Sequence, residues 1–136
     1  MERMVDRAAW GWHDFVLKSG VLAERGKLAC IDTADGSITK GALSATLVPL
    51  GLFTETLTGD GVKTVQVRMF HEVSAFWWNN DTAGTPLTAA SVGKLAYIKD
   101  DQTVSAVSTG ASAAGLVLQV DALKGVLVYS SYPFKA

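Results

Sequence analysis

The chain has 136 residues, 49% of them apolar and 18% charged, which suits one domain or two small lobes sharing a core and excludes a disordered sequence. A net charge of −1 gives no bulk attraction to nucleic acid or to an anionic membrane, so neither is expected as a partner. The one cysteine, Cys30, has no internal partner for a disulfide, and between Ala29 and Ile31 it reads as a small buried apolar residue rather than a reactive thiol.

The N-terminal stretch MERMVDRAAWGWHDFVLKSG has no apolar segment of the signal-peptide kind. Residues 2–9 allow one or two helical turns, and Gly11 and Gly20 stop any continuation. The expectation for residues 1–20 is therefore an arm outside a single β domain at 21–136. From Gly26 the chain reads GKLACIDTADGSIT, in which Leu28 and Cys30 alternate with Ala29 and Ile31, so both faces are apolar, as in a strand covered on both sides. Asp35-Gly36 marks a hairpin turn, because glycine reaches positive φ without a Cβ clash. Gly51 stands where a bulge or a close backbone approach is expected. Gly59-Asp60-Gly61 joins two apolar runs and opens no helix, so it reads as a loop and not as a phosphate cradle. In VKTVQVRMF, Lys63, Val65, Val67 and Met69 share one parity and make an apolar inner face, while Val62, Thr64, Gln66, Arg68 and Phe70 share the other and make a mostly polar outer one. Trp77 and Trp78 are adjacent, so an extended backbone sends them to opposite faces. AASVGK after Pro86 is a short helical turn at most. The run from Gln102 to Val120 carries too many hydroxyl and amide side chains for a membrane helix and reads as strands and turns. Asn80-Asp81-Thr82 matches a glycosylation acceptor by chance.

At Gly93 the chain nearly repeats itself: GKLAYIKDDQTVS, then a Gly/Ser/Ala stretch, then AAGLVLQVD with Gly115 placed as Gly51 was, then GVLVYSS. The fold class this implies is mainly β: a small barrel or sandwich built from two similar strand-turn-strand units, about 26–70 and 93–130.

Catalytic signals are sparse. His13 and His71 are the only histidines and neither stands in metal-ligand spacing. A Cys30–His71 dyad, acid–base use of His71-Glu72, and ligand loops at Asp32/Asp35 and Asp100/Asp101 are the functional readings available. Against each stands a plainer one: a buried thiol, solvated surface, and turn residues lacking the oxygen spacing of a Ca²⁺ loop. No enzyme activity, cofactor or metal is expected. The aromatic residues are the unusual feature, and Trp10, Trp12, Phe15, Trp77 and Trp78 are the candidates for contact with another subunit or another protein.

With GKLACIDTADGSITKG…VPLGLFTET and VGKLAYIKDDQTVS…ASAAGLVLQVDALKGVLV laid out, the stretch from Gly20 to Ser130 resembles the head decoration, or capsid cement, proteins of tailed bacteriophages. The resemblance implies a virion structural protein, made in the host cytoplasm and located on the head surface. Its partner would be the assembled major capsid protein shell, and self-association as a homotrimer is the expected assembly. The family has no catalytic residues to carry over, and AAWGWHDFVLKSG departs from its shortest members. A tail or baseplate structural subunit is the alternative, and a small β-barrel ligand-binding protein is a third reading.

Overall fold

A computed structural model describes residues 12–70 and 74–130. Trp10, the helical turn expected over residues 2–9, and His71 lie outside these residues. The regular structure of the described chain is almost all strand: β1 (Trp12–Val16), β2 (Leu22–Ala23), β3 (Leu28–Asp32), β4 (Ser37–Lys40), β5 (Leu47–Phe53), β6 (Leu57–Thr58), β7 (Thr64–Met69), β8 (Ser74–Asn80), β9 (Leu95–Ile98), β10 (Thr103–Ser105), β11 (Ala113–Asp121) and β12 (Gly125–Ser130). A 3₁₀ turn at Ala89–Ser91 stands where the short helical turn was expected.

Two five-stranded sheets carry the same topology. The first runs β1-β7-β5-β3-β4, and the second is a closed barrel in the order β10-β8-β12-β11-β9. Both place the first strand of the repeat motif at the centre of a three-strand unit. β3 pairs antiparallel with β4 and β5, and β9 pairs antiparallel with β10 and β11. The registers match residue by residue: Leu28 faces Leu52 and Ala29 faces Gly51, as Leu95 faces Leu116 and Ala96 faces Gly115. Each unit then slips by one residue at the same place, making the bulge expected at these glycines. Pro49 sits beside the first bulge, where a residue without an N–H does least harm to a central strand. The hairpin turn of the first unit has Gly36 at φ 74°.

The duplication is longer than the repeated words in the sequence. β1 pairs with β7, with Phe15 opposite Val65, and β8 pairs with β12, with Trp78 opposite Val126. β10 closes the second barrel by pairing parallel to β8, and a parallel bridge between Leu17 and Ile38 brings the edges of the first sheet together in the same way. The matching hydrogen bonds are Lys18 N–H to the Ile38 carbonyl at 2.9 Å and Asp81 N–H to the Val104 carbonyl at 3.0 Å. An arm reaching to residue 20 is therefore corrected. From Trp12 onward the chain is the first strand of the first barrel, and its counterpart is β8, the strand that carries the paired tryptophans.

Two apolar clusters hold the molecule together. One lies inside the first barrel around Leu17, Leu50, Phe53, Val65 and Val67. The other fills the second barrel with Trp78, Ile98, Val104, Val117, Val126 and Val128, and continues into Leu28, Cys30, Leu47 and Phe70 of the first. This explains the two apolar faces of β3: Ala29 points into its own barrel, and Leu28 and Cys30 point toward the second. Phe70, on the outward parity of its strand, is buried for the same reason and packs against Phe76 with ring centroids 5.6 Å apart. Polar contacts seal the junction. Leu28 N–H donates to the Asp101 carbonyl at 2.8 Å, Leu47 N–H donates to Ser112 Oγ at 2.9 Å, and the Ser112 hydroxyl donates to the Ser44 carbonyl at 2.6 Å.

Candidate functional site

The aromatic candidates separate. Trp78 and Phe15 occupy matched positions on β8 and β1. Trp78 is buried in the core of the second barrel, and Phe15 packs half-buried against the core of the first. Trp78 is thus a core residue of its own chain, which removes it from the surface candidates. Trp77 points the other way, as the strand parity requires, and is 37% exposed; Trp12 is 46% exposed. Each exposed indole has a cation over it. The Arg68 guanidinium carbon lies 6.0 Å from the Trp12 ring, and Lys124 Nζ lies 5.5 Å from the Trp77 ring. At exposed sites such a pair is worth about 0.5–1 kcal/mol, so each cation offers its ring a weak contact within its own chain.

The barest apolar surface lies elsewhere, on aliphatic residues that the sequence reading did not select. Leu123 is 97% exposed and Val62 is 79% exposed. They occupy equivalent positions at the tips of two matched turns, Asp60-Gly61-Val62-Lys63 before β7 and Asp121-Ala122-Leu123-Lys124 before β12. Each turn is folded by its aspartate. Asp60 Oδ1 accepts from the N–H groups of Val62 (2.8 Å) and Lys63 (2.7 Å), and Asp121 Oδ1 accepts from those of Leu123 (2.8 Å) and Lys124 (2.9 Å). These bonds hold both carboxyls below the ordinary aspartate range, with the lysine N–H contributing most in each. Leu123 is thus almost wholly, and Val62 mostly, clear of its own chain, each on a turn tied by two backbone hydrogen bonds. The signal was in the sequence as two copies of Asp-x-aliphatic-Lys. A second exposed apolar set, Leu95, Leu116 and Leu118, lies on the outer face of β9 and β11.

The remaining polar candidates are structural. Asp32 Oδ1 accepts from Ala34 N–H at 3.0 Å and from Thr46 Oγ1 at 2.8 Å. Asp35 Oδ1 accepts from the Ser37 hydroxyl at 2.6 Å and from Ser37 N–H at 3.0 Å, and Lys18 Nζ stands 3.2 Å from its other oxygen. The Ser37 bonds first, then Lys18, lower the Asp35 carboxyl to about 2. Asp100 caps its own turn through Gln102 N–H at 2.9 Å. The buried Asp81 accepts from Lys99 Nζ at 2.6 Å, Ser105 Oγ at 3.0 Å and the N–H groups of Ala83, Gly84 and Thr85, so it clamps the loop after β8. Lys99 foremost holds its carboxyl well below the usual range. Asn80 exchanges two hydrogen bonds with the Leu87 backbone in the same loop. Cys30 is fully buried, and burial pushes its thiol far up, away from thiolate chemistry. Among the described residues no three His, Cys, Asp or Glu side chains converge as a metal site.

Two open clefts occupy related places on the two barrels. In the first, of about 390 Å³, Val16, Leu17 and Ser37 are joined by Phe15, Ile31 and Ile38. In the second, of about 590 Å³, the equivalent Asn79, Asn80 and Thr103 are joined by Lys99, Asp100, Asp121 and Lys124. The duplicated frame thus carries one apolar and one charged version of the same surface.

Comparison of the chain with protein-family models, curated proteins and solved structures finds no significant match.

Proposed function

We propose that the chain is a structural protein of a tailed-bacteriophage virion, one that binds the outside of the assembled major capsid shell and stabilises it. The observation that carries this reading is the pair of matched turns that hold Val62 and Leu123 out from the double barrel. Burying one such side chain contributes on the order of 1.5–3 kcal/mol before ordering costs. That is modest for a single contact, but a shell offers many copies of one site, and each bound copy favours the assembled state. The test is cosedimentation of purified protein with heads that lack it, followed by thermal melting of the heads. Binding and a raised melting temperature are expected, and a Val62→Glu/Leu123→Glu double variant should lose both while remaining folded. Heads that neither bind the protein nor gain stability would overturn the reading.

A ring-forming tail or baseplate subunit is the second reading. It is favoured by the way one barrel stacks on the outer face of the other without two-fold symmetry, a contact type that extends into rings. Imaging the protein at the shell or at the tail of purified virions separates the two.

A further inference from the structure

The junction between the barrels is a heterologous contact between two copies of one unit. The first barrel contributes the outer face of β3 and its neighbour: Leu28, Cys30 and Leu52. The second contributes its β9–β10 turn and the end of its core, where Ile98 and Trp78 lie. Because the units are equivalent, each barrel owns both surfaces, and each uses only one of them within the chain.

The unused surfaces can be located by comparing matched positions. Leu28 is 4% exposed, whereas its counterpart Leu95 is 44% exposed. Cys30 is fully buried and Leu52 packs on the shared core, whereas their counterparts are a half-buried Tyr97 and an exposed Leu116. The second barrel thus leaves bare the face that the first barrel has covered. The opposite deficit is found on the first barrel. Ile98 and Trp78 are buried, whereas their counterparts Ile31 and Phe15 are half-exposed and line the apolar cleft of about 390 Å³. The turn at Asp101, whose carbonyl takes the Leu28 N–H, corresponds to the turn at Ala34, which is exposed. Lys18, Asp32 and Asp35 make a charged rim beside that cleft, so the free end has the apolar centre and polar edge of a protein interface.

We propose that a second copy of this chain fills both deficits, with the Leu95–Tyr97–Leu116 face of one molecule docking on the Ala34 turn and Phe15–Ile31 cleft of the next. The contact repeats between chains the one already present within the chain. It runs head to tail, so it builds a ring when successive rotations close and a filament when they do not. It does not depend on capsid binding, because it concerns the purified chain alone.

The test is sedimentation of the full chain over a range of concentrations. Wild type should show a mass that rises above the monomer with concentration. Leu95→Glu places a charge on one surface and Ala34→Arg obstructs the other, and both sites are exposed in the monomer, so each variant should keep the wild-type circular dichroism. Each alone should self-associate more weakly by roughly tenfold or more. Mixed in equal amounts, they still own one intact copy of each surface and should form a dimer that grows no further. Leu116→Glu serves in place of Leu95→Glu if the latter loses its β spectrum. A monomeric wild type at all concentrations, variants that associate as wild type does, or a mixture that stays monomeric would each overturn the proposal.

Discussion

Gly51 and Gly115 occupy matched positions in the two units, and for both a side chain lacks space, with Gly115 also at a positive φ of 154°. A Cβ on Gly51 would stand 2.1 Å from the Arg68 carbonyl oxygen, and one on Gly115 would stand 2.2 Å from that of Tyr129. Those obstructions are backbone on the neighbouring strand and cannot swing aside. Gly26 and Gly93, which open the repeated words, differ in kind: they have φ of 84° and 87°, and nothing lies within 4 Å of an added Cβ. Gly51→Ala and Gly115→Ala should each cost about 1–3 kcal/mol or more by forcing strands apart at the bulge. Gly26→Ala should cost only the roughly 1–2 kcal/mol of a left-handed backbone. Urea denaturation midpoints check the order, and a Gly26→Ala loss exceeding that of Gly51→Ala would contradict the bulge account. The close approach was legible in the sequence because each glycine interrupts an apolar strand pattern. Its cause was not, since the obstructing carbonyls belong to the paired strands β7 and β12, and only the register of that pairing brings them onto the glycines.

Among elements, the β9–β10 turn does work that its counterpart does not. It lays Asp101 against the first barrel, where its carbonyl meets Leu28 N–H and its carboxyl is largely buried. Burial raises that carboxyl above its ordinary value, with Lys27 and then Lys40 opposing only in part. A carboxyl raised in the folded state opposes folding once ionised. Below the unfolded value of about 4 it is protonated in both states and costs nothing, and the cost grows as pH rises through the folded value. Asp101→Asn keeps the backbone bond and removes the charge. It should therefore raise the denaturation midpoint at pH 7, with the gain vanishing near pH 3. An unchanged midpoint at pH 7 would show that this carboxylate is adequately solvated or paired. The strand-turn-strand units themselves were readable, because alternation, turn glycines and bulge glycines recur in order. β1 was not, since Trp12-His13-Asp14-Phe15-Val16 sends only Phe15 inward and offers no apolar alternation. Its match to β8 was hidden as well: Phe15 answers Trp78 and Leu17 answers Asn80, so geometry persisted where residue identity did not. The spacing between matched positions also changes along the chain, wider at Leu28 and Leu95 than at Phe15 and Trp78 and narrower again at Val62 and Leu123, so no single period aligns both copies. The exposed Val62 and Leu123 were passed over for tryptophans, because residue type alone does not report which large apolar side chains the barrels have already claimed.

At the scale of the molecule, the shared cluster makes the barrels one cooperative body. The core of the second barrel is completed by Leu28, Cys30, Leu47 and Phe70, so it has no finished apolar core without the first. The first barrel has its own cluster, but it would expose Leu28, Leu47 and Phe70 if the second opened. Either barrel opening alone strips apolar area from the other, which favours a single transition. Leu28 and Leu95 test this with identical chemistry at equivalent places. Leu28→Ala should cost about 2–5 kcal/mol, as for a buried leucine, and should lower the unfolding of both barrels together. Leu95→Ala, studied at a concentration low enough to keep the chain monomeric, should cost under about 1 kcal/mol, as surface substitutions do. Amide exchange followed separately on β5 and β12 supplies the readout. Equal losses of protection in both strands for Leu28→Ala are expected. A loss confined to β12, with β5 exchanging as in wild type, would show that the first barrel stands alone and that the junction joins two domains rather than completing one.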